Sequence, residues 1–222
     1  MDLRHEWKHR ISRADLLTLR QRLGILMDPD PHAKNGSYFV RSLYFDSPDN
    51  KALLEKLDGV SHREKFRIRY YDLDTTVIHL EKKTKCNGLG SKDSAPLSAQ
   101  EVQSILDGSF NWMAGCDRPL VRQLHQKMLQ QGLRPKTIVD YTREPFVYAP
   151  GNVRVTLDYR IRTGIGVADF LKGDCVTLPA ADDPILLEVK WDDCLPDIIR
   201  RAVQLGNRQA AAFSKYAACR YF

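Results

Sequence analysis

The sequence predicts an α+β fold built round an antiparallel β-barrel, closed or nearly closed, with helices packed outside it. Two observations carry that prediction. Segment after segment alternates with a period of two, the mark of strands whose faces meet unlike surroundings, and short helical stretches with their own start and stop signals lie between them. On these strands the alternation sets apolar residues against charge. Both faces of the sheet therefore have a defined role, which a barrel provides.

Arg4–Ile11 reads as the first strand. Ser12 is a good N-cap with Asp15 in the capping-box position, and the helix it opens is expected to stop near Gly24. Tyr38–Asp46 is the second strand, and Ser47-Pro48 opens a short helix that ends by Gly59. Arg63–Tyr71 and Thr76–Lys85 are strands joined by a hairpin-like DLDTT connection. Asn87-Gly88 and Gly90 make a flexible turn, which lacks the GK[ST] ending of a P-loop. Ser98 with Glu101 is a second capping box, so Ser98–Leu106 is a helix that Gly108 terminates. Pro119–Gln131 is helical; Ile138–Tyr148, Val153–Arg162 and Ile185–Trp191 are strands; Pro196–Leu205 and Gln209–Ala218 form a helical pair. No repeat, low-complexity tract or long linker interrupts this order, and residues 1–222 are expected to form one domain.

With 43% hydrophobic and 28% charged residues the chain reads as globular and soluble. The opening MDLRHEWKHR has no apolar stretch of a signal peptide, and no run approaches a membrane span. Five scattered cysteines without a CxxC pair point to a reduced, cytoplasmic location and away from structural zinc. A net charge of +6 suits polyanions, among which composition does not choose.

The charged faces narrow the choice. Arg4, Glu6, Lys8 and Arg10 share a face opposite His5, Trp7, His9 and Ile11. Arg63, Lys65, Arg67 and Arg69 oppose Phe66, Ile68 and Tyr70, and His79, Glu81, Lys83 and Lys85 oppose Ile78 and Leu80. Arg154, Thr156, Asp158, Arg160 and Arg162 oppose Val153, Val155, Leu157, Tyr159 and Ile161; Glu188 and Lys190 oppose Ile185, Leu187 and Val189. For any one strand a solvated face explains this. Its recurrence does not fit so simply, because neighbouring strands lie only about 4.8 Å apart and like charges across them repel. Glu6, Glu81, Asp158 and Glu188 are too few to balance the cations, so a bound polyanion is expected to supply the rest. Arginine offers a fork of donors that matches phosphate oxygens, and lysine a compact charge. A hard divalent cation needs only one or two carboxylates plus phosphate oxygens. The E-x-K pairs Glu6/Lys8, Glu81/Lys83 and Glu188/Lys190 offer them, the competing reading of each pair being an i, i+2 salt bridge.

Nucleic acid is not expected as a partner, since the aromatics fall opposite most of the cations and leave no stacking platform beside them. His5 and His9 read as packed residues, Trp7, Trp112 and Trp191 as core or barrel wall, and Arg200-Arg201 as a solvated helix face.

In order and spacing, RHEWKHRIS, SLYFDS, REKFRIRYY, LEKKTK, TREPF, VTLD, LEVK and FSKY resemble the VTC-type polyphosphate polymerase domain over nearly the whole chain. That family belongs to the triphosphate tunnel metalloenzymes, or CYTH-like proteins. The resemblance implies an antiparallel barrel enclosing a tunnel, and metal-dependent transfer of the ATP γ-phosphate to a growing polyphosphate chain. It implies that Lys8, Arg67, Arg69, Lys83, Arg143 and Lys190 grip phosphates, with Arg67, Arg69, Lys83 and Arg143 neutralising the charge that develops in transfer. Glu188, with Glu6, would hold Mn²⁺ or Mg²⁺. Lys215 would reach the tunnel from a C-terminal helix, and Lys92 would be a further candidate phosphate ligand.

One departure stands out. Arg4 takes the first acidic position of the E-x-E-x-K that many tunnel enzymes carry, which removes a metal ligand, adds a cation, and fits a polymerase better than a triphosphatase. The alternatives are a triphosphatase of the same fold, acting on tripolyphosphate or a nucleoside triphosphate, and a non-catalytic polyphosphate-binding module. A tunnel open at both ends favours the polymerase; a plugged one favours hydrolysis.

Overall fold

The computed structural model describes residues 4–87, 89–206 and 213–220. In chain order the elements are β1 (His5–Ile11), α1 (Arg13–Leu26), β2 (Asp28–Pro29), β3 (Tyr38–Asp46), α2 (Lys51–Leu57), β4 (His62–Tyr71), β5 (Asp74–Cys86), β6 (Leu89–Leu97), α3 (Ala99–Leu106) and α4 (Pro119–Gln130). There follow β7 (Arg134–Tyr148), β8 (Val153–Gly164), β9 (Thr177–Pro179), β10 (Ile185–Trp191), α5 (Asp197–Val203) and α6 (Lys215–Ala218). The strands form one antiparallel sheet in the order β1-β10-β8-β7-β3-β4-β5-β6, with β2 added to β7 and β9 to β8. The two edge strands meet at an isolated antiparallel bridge between Arg4 and Gly90. The sheet therefore curves round into a nearly closed barrel.

Local chemistry explains most of the boundaries. The capping boxes at Ser12 and Ser98 both form. Gly108 ends α3 in the left-handed region, at φ 78°, as expected of a C-terminal glycine. Gly24 does not end α1, which continues to Leu26. Gly24 has no left-handed φ, and burial of Leu19, Leu23 and Met27 carries the helix past it. The β4–β5 turn places Asp72 and Leu73 at φ 51° and 57°, a two-residue turn whose twist matches the strands.

Three further features depart from expectation. Residues 89–97 form a full strand, β6, where a flexible turn was expected up to Gly90 and no strand beyond it. LGSKDSAPL has no β-branched residue, and only pairing with β5 over Cys86↔Leu89 to Ile78↔Leu97 makes it a strand. Pro96 is tolerated there because β6 is an edge strand. Next, β8 changes phase. The β7–β8 register shifts between Asp140 and Thr142, and Arg160 sits at φ 52°. This bulge exposes Arg160, turns Ile161 and Thr163 inward, and sends Arg162 to Thr177 of β9. The expected single face from Arg154 to Arg162 therefore ends at Asp158. The third departure is α6, which begins only at Lys215; Gln209–Ala212 of the expected helix lie outside the described residues.

Apolar packing lies mainly outside the barrel. Phe66, Ile68, Ile78, Leu80 and Leu97 meet Val102 and Ile105 of α3 and Val121, Leu124 and Met128 of α4. Val155, Leu157, Leu187 and Val189 meet Leu19 and Leu23 of α1 and Ile199 and Val203 of α5. A third cluster lies within the curve of the sheet, where Tyr216, Ala217 and Cys219 pack on Val40, Val139, Tyr141, Ile161 and Leu186. Each fully buried aliphatic or aromatic side chain contributes roughly 1.5–3 kcal/mol. That apolar shell is what allows the interior to hold charges that repel one another.

Candidate functional site

The interior is built from cross-strand register. On β1 and β10, Lys8 lies opposite Glu188 and Glu6 opposite Lys190. Lys8 Nζ is 3.0 Å from Glu6 Oε2 and 3.4 Å from Glu188 Oε2. Lys190 Nζ is 2.5 Å from Glu188 Oε1 and 3.5 Å from Glu6 Oε1, and Lys83 Nζ is 3.6 Å from Glu6 Oε1. Burial alone would raise the Glu6 pKa, but Lys83, Lys8 and Lys190 outweigh it and the neighbouring Glu188, holding Glu6 at about 2. Glu188 is likewise held well below the carboxylate range: Lys190, Lys8 and Arg143 overcome its burial. Lys83 moves the other way. Burial, then Lys190 and Lys8, push its ammonium well below the lysine range despite Glu6 and Glu188.

Two ionised carboxylates thus stand together at neutral pH. Among the described residues, neither the buried Glu6 Oε1 nor Thr156 Oγ1, which faces Glu188 in the register, has a hydrogen-bond partner. Among the described residues no three His, Cys, Asp or Glu side chains converge. Two carboxylates, one with an oxygen held only by ammonium groups at 3.5 and 3.6 Å, fit a hard divalent cation that completes its shell with phosphate and water oxygens.

A second group lies on β3, β4, β5 and β6. Arg67 Nε donates to Glu81 Oε2 at 2.7 Å and its Nη1 to the Tyr44 hydroxyl at 3.0 Å. Arg69 donates to Ser42 Oγ at 2.9 Å and to the Tyr141 hydroxyl at 3.0 Å. Lys92 Nζ reaches Glu81 Oε1 at 3.1 Å. Burial would raise the Tyr44 pKa, yet Arg67 and Arg69 bring it down to about 8. A third group joins Arg143, which grips Asp158 with two bonds of 2.7 Å, to Lys215 of α6, 2.6 Å from Asp158 Oδ2. Arg143 and Lys215 hold Asp158 at about 2 against its burial.

The structure therefore brings Glu6, Lys8, Arg67, Arg69, Lys83, Lys92, Arg143, Glu188, Lys190 and Lys215 to one interior. Two of the E-x-K pairs do form i, i+2 ion pairs, Glu6–Lys8 and Glu188–Lys190. Glu81 instead reaches across strands to Arg67 and Lys92. Arg4 adds no cation to this interior: its guanidinium binds Asp192 at 2.7 Å and the Asn152 carbonyl.

The premise that aromatics avoid the cationic face is overturned. Arg67 lies over the Tyr44 ring, and Arg69, Arg143 and Lys215 lie over Tyr141. These rings sit under cations, and their hydroxyls orient arginines. Tyr44, Tyr141, Ser42 and Lys65 were not singled out as site residues. Ser42, Tyr44 and Tyr141 stand on β3 and β7 as hydroxyls and rings among few charges, so only the register with β4 and β8 reveals them.

A search of curated proteins gives no match. Solved structures share the fold. A Hippeastrum protein assigned as an adenylyl cyclase, with a described dominant triphosphatase activity, is 14% identical with a TM-score of 0.58, covering 99% of this chain and 95% of that one. A Pyrococcus horikoshii protein is 12% identical with a TM-score of 0.51 over 96% of each chain. A Bacillus halodurans protein assigned as an adenylate cyclase is 16% identical with a TM-score of 0.50, covering 86% of this chain and 82% of that one. At these identities the likeness is one of fold. The family profile described as the VTC domain matches residues 3–221, and the chain belongs to that family.

Proposed function

We propose that this protein is a metal-dependent polyphosphate polymerase that transfers the ATP γ-phosphate to a polyphosphate chain inside the tunnel, residues 1–222 acting as one unit. The observation that carries this reading is the interior charge. Among the described residues, Lys8, Lys65, Arg67, Arg69, Lys83, Lys92, Arg143, Lys190 and Lys215 outnumber the carboxylates they face, Glu6, Asp46, Glu81, Asp158 and Glu188. A polyanion completes such a lining. Membership of the VTC domain family supports the polymerase over other phosphate chemistry.

Glu188 and Glu6 would hold Mn²⁺ or Mg²⁺, which when bound offsets charge on the donor phosphates. Lys8 and Lys190 keep both carboxylates ionised. Asp158 and Glu81 hold Arg143 and Arg67 in place, so their remaining donors are preorganised. The terminal phosphate oxygen of the acceptor attacks the γ-phosphorus in line, the bond to the β-phosphate oxygen breaks, and ADP leaves with the electron pair. Arg67, Arg69, Lys83 and Arg143 take up the charge that spreads over the transferred group; no covalent nucleophile is needed. No described helix is long and apolar enough to cross a membrane. Five free cysteines support a reducing, cytoplasmic setting.

One observation favours a second reading, a triphosphatase. Because α6 packs within the curve of the sheet, part of the interior is filled, and a chain has less room to pass through. Water would then replace the acceptor. Incubation with ATP and Mn²⁺ or Mg²⁺, with and without a short polyphosphate primer, separates the two, with products resolved by gel and phosphorus NMR. Chains longer than the primer with ADP released support the polymerase. Orthophosphate without chains supports hydrolysis, and binding without turnover leaves a binding module.

A further inference from the structure

The interior is not uniformly balanced. Opposite charges face each other in the register of Lys8↔Glu188, Glu6↔Lys190 and Arg67↔Glu81. Further along β4 this stops. Lys65 lies opposite Lys83, and Lys83 opposite Lys92, a row of three ammonium groups on adjacent strands. The next row sets Arg63 opposite Lys85. Like charges directly across a ladder destabilise it. Among the described residues no carboxylate lies within 4.0 Å of Arg63, Lys65 or Lys85.

Lys65 Nζ instead rests 5.0 Å above the Tyr216 ring, and the Arg63 guanidinium donates to the Val60 carbonyl. From Arg67 to Arg63 the rows extend about 14 Å along the strand, a longer run than one triphosphate spans. The helix α2 leads into β4 and packs on it, bringing in Lys56. Burial, then Arg63, Lys8 and Lys85, push the Lys56 ammonium below the lysine range, which puts these cations in one electrostatic neighbourhood.

We propose that Arg63, Lys65 and Lys85, with Lys56 of α2, form a distal subsite for the phosphates of a long chain that lie beyond the Arg67–Glu81 and Glu6–Glu188 groups. It makes the protein prefer long polyphosphate to tripolyphosphate. This rests on the phosphate chain as ligand, and is independent of whether the chain is extended or hydrolysed.

The test is calorimetric titration of the intact protein with tripolyphosphate and with a long polyphosphate of defined length, at several salt concentrations. The Lys56→Gln/Arg63→Gln/Lys85→Gln variant is compared with the wild type. For the long chain, loss of three phosphate contacts should lower the slope of log affinity against log salt by about 2, and affinity should fall roughly tenfold. Tripolyphosphate binding should stay within about twofold, since its contacts lie elsewhere. The unliganded variant should melt no lower than the wild type, because repelling rows have been removed. Arg63→Glu alone serves as a second variant and should weaken only the long chain.

Equal losses for both ligands, or none for either, would overturn the subsite. So would the same loss with a single-stranded oligonucleotide of equal charge bound as tightly. Length discrimination without any chain extension would sustain the subsite and remove the polymerase. If the wild type binds neither phosphate, both readings fall.

Discussion

Charge is buried in two parts of this protein, on different terms. On the outer face of the sheet Arg41 and Asp140 are 3% and 2% exposed. Arg41 Nε lies 2.9 Å from Asp140 Oδ1 and Nη2 2.8 Å from Oδ2. Its Nη1 donates to the carbonyls of Lys172 and Phe170, at 2.6 and 3.4 Å, in the segment after β8. One cation meets one carboxylate and its donor groups are occupied. Inside the barrel, cations outnumber the carboxylates, and Glu6 Oε1 accepts no hydrogen bond from the described residues. A closed pair gains nothing from a ligand, whereas a surplus of like charge is relieved by an arriving anion. The first arrangement holds the fold; the second stores an affinity.

Breaking each part should look different. Glu188→Gln should lower turnover with ATP by about 10³-fold, measured as ADP release, while tripolyphosphate still binds. Its melting temperature should fall without ligand and recover with tripolyphosphate, since ligand at 100 times Kd adds about 2.7 kcal/mol. Full turnover in this variant would remove Glu188 from the chemistry. Asp140→Ala leaves Arg41 buried without its partner and should cost about 3–5 kcal/mol in denaturant unfolding. Tripolyphosphate should give it no more recovery than the wild type gains. A selective rescue would mean that the two regions are coupled.

Proton linkage sharpens the contrast at lower cost. Burial, with Lys56 and Arg63, holds Lys65 down to about 8, although Tyr44 and Asp46 pull the other way. Between pH 8 and the ordinary lysine range the unfolded chain therefore binds more protons than the folded one, and the Lys65 contribution to stability rises with pH. Polyphosphate affinity should move oppositely and fall from pH 7 to 9 as Lys65 loses its charge. Lys65→Met should flatten that fall, and an unchanged profile would dissociate Lys65 from the chain. Smallest is a control outside both regions: Ser98→Ala removes the N-cap of α3 and should cost about 1 kcal/mol, with no effect on phosphate binding.

Much of the site was legible because period-two alternation states which residues share a face. Arg67 with Arg69, Glu188 with Lys190 and Glu6 with Lys8 are all neighbours at i, i+2, and each pair reached the interior. Tyr44 and Tyr141 were hidden because nothing local distinguishes a tyrosine beneath an arginine from one in an apolar core. The bulge at Arg160 was hidden too, since one inserted residue reverses the face of those that follow while their local pattern still reads as strand.

The sequence by itself determined the strands of strongest alternation, the capped starts of α1 and α3, and the division of β4 and β5 into a charged and an apolar face. These depend on residues a few positions apart, through backbone hydrogen bonding and the contrast between water and core. Only the tertiary structure decided that 89–97 is a strand, that α6 lies within the curve of the sheet, and that Lys65, Lys83 and Lys92 stand in one row. Those facts depend on which distant strands pair and in what register, and register is set by the packing of the whole barrel.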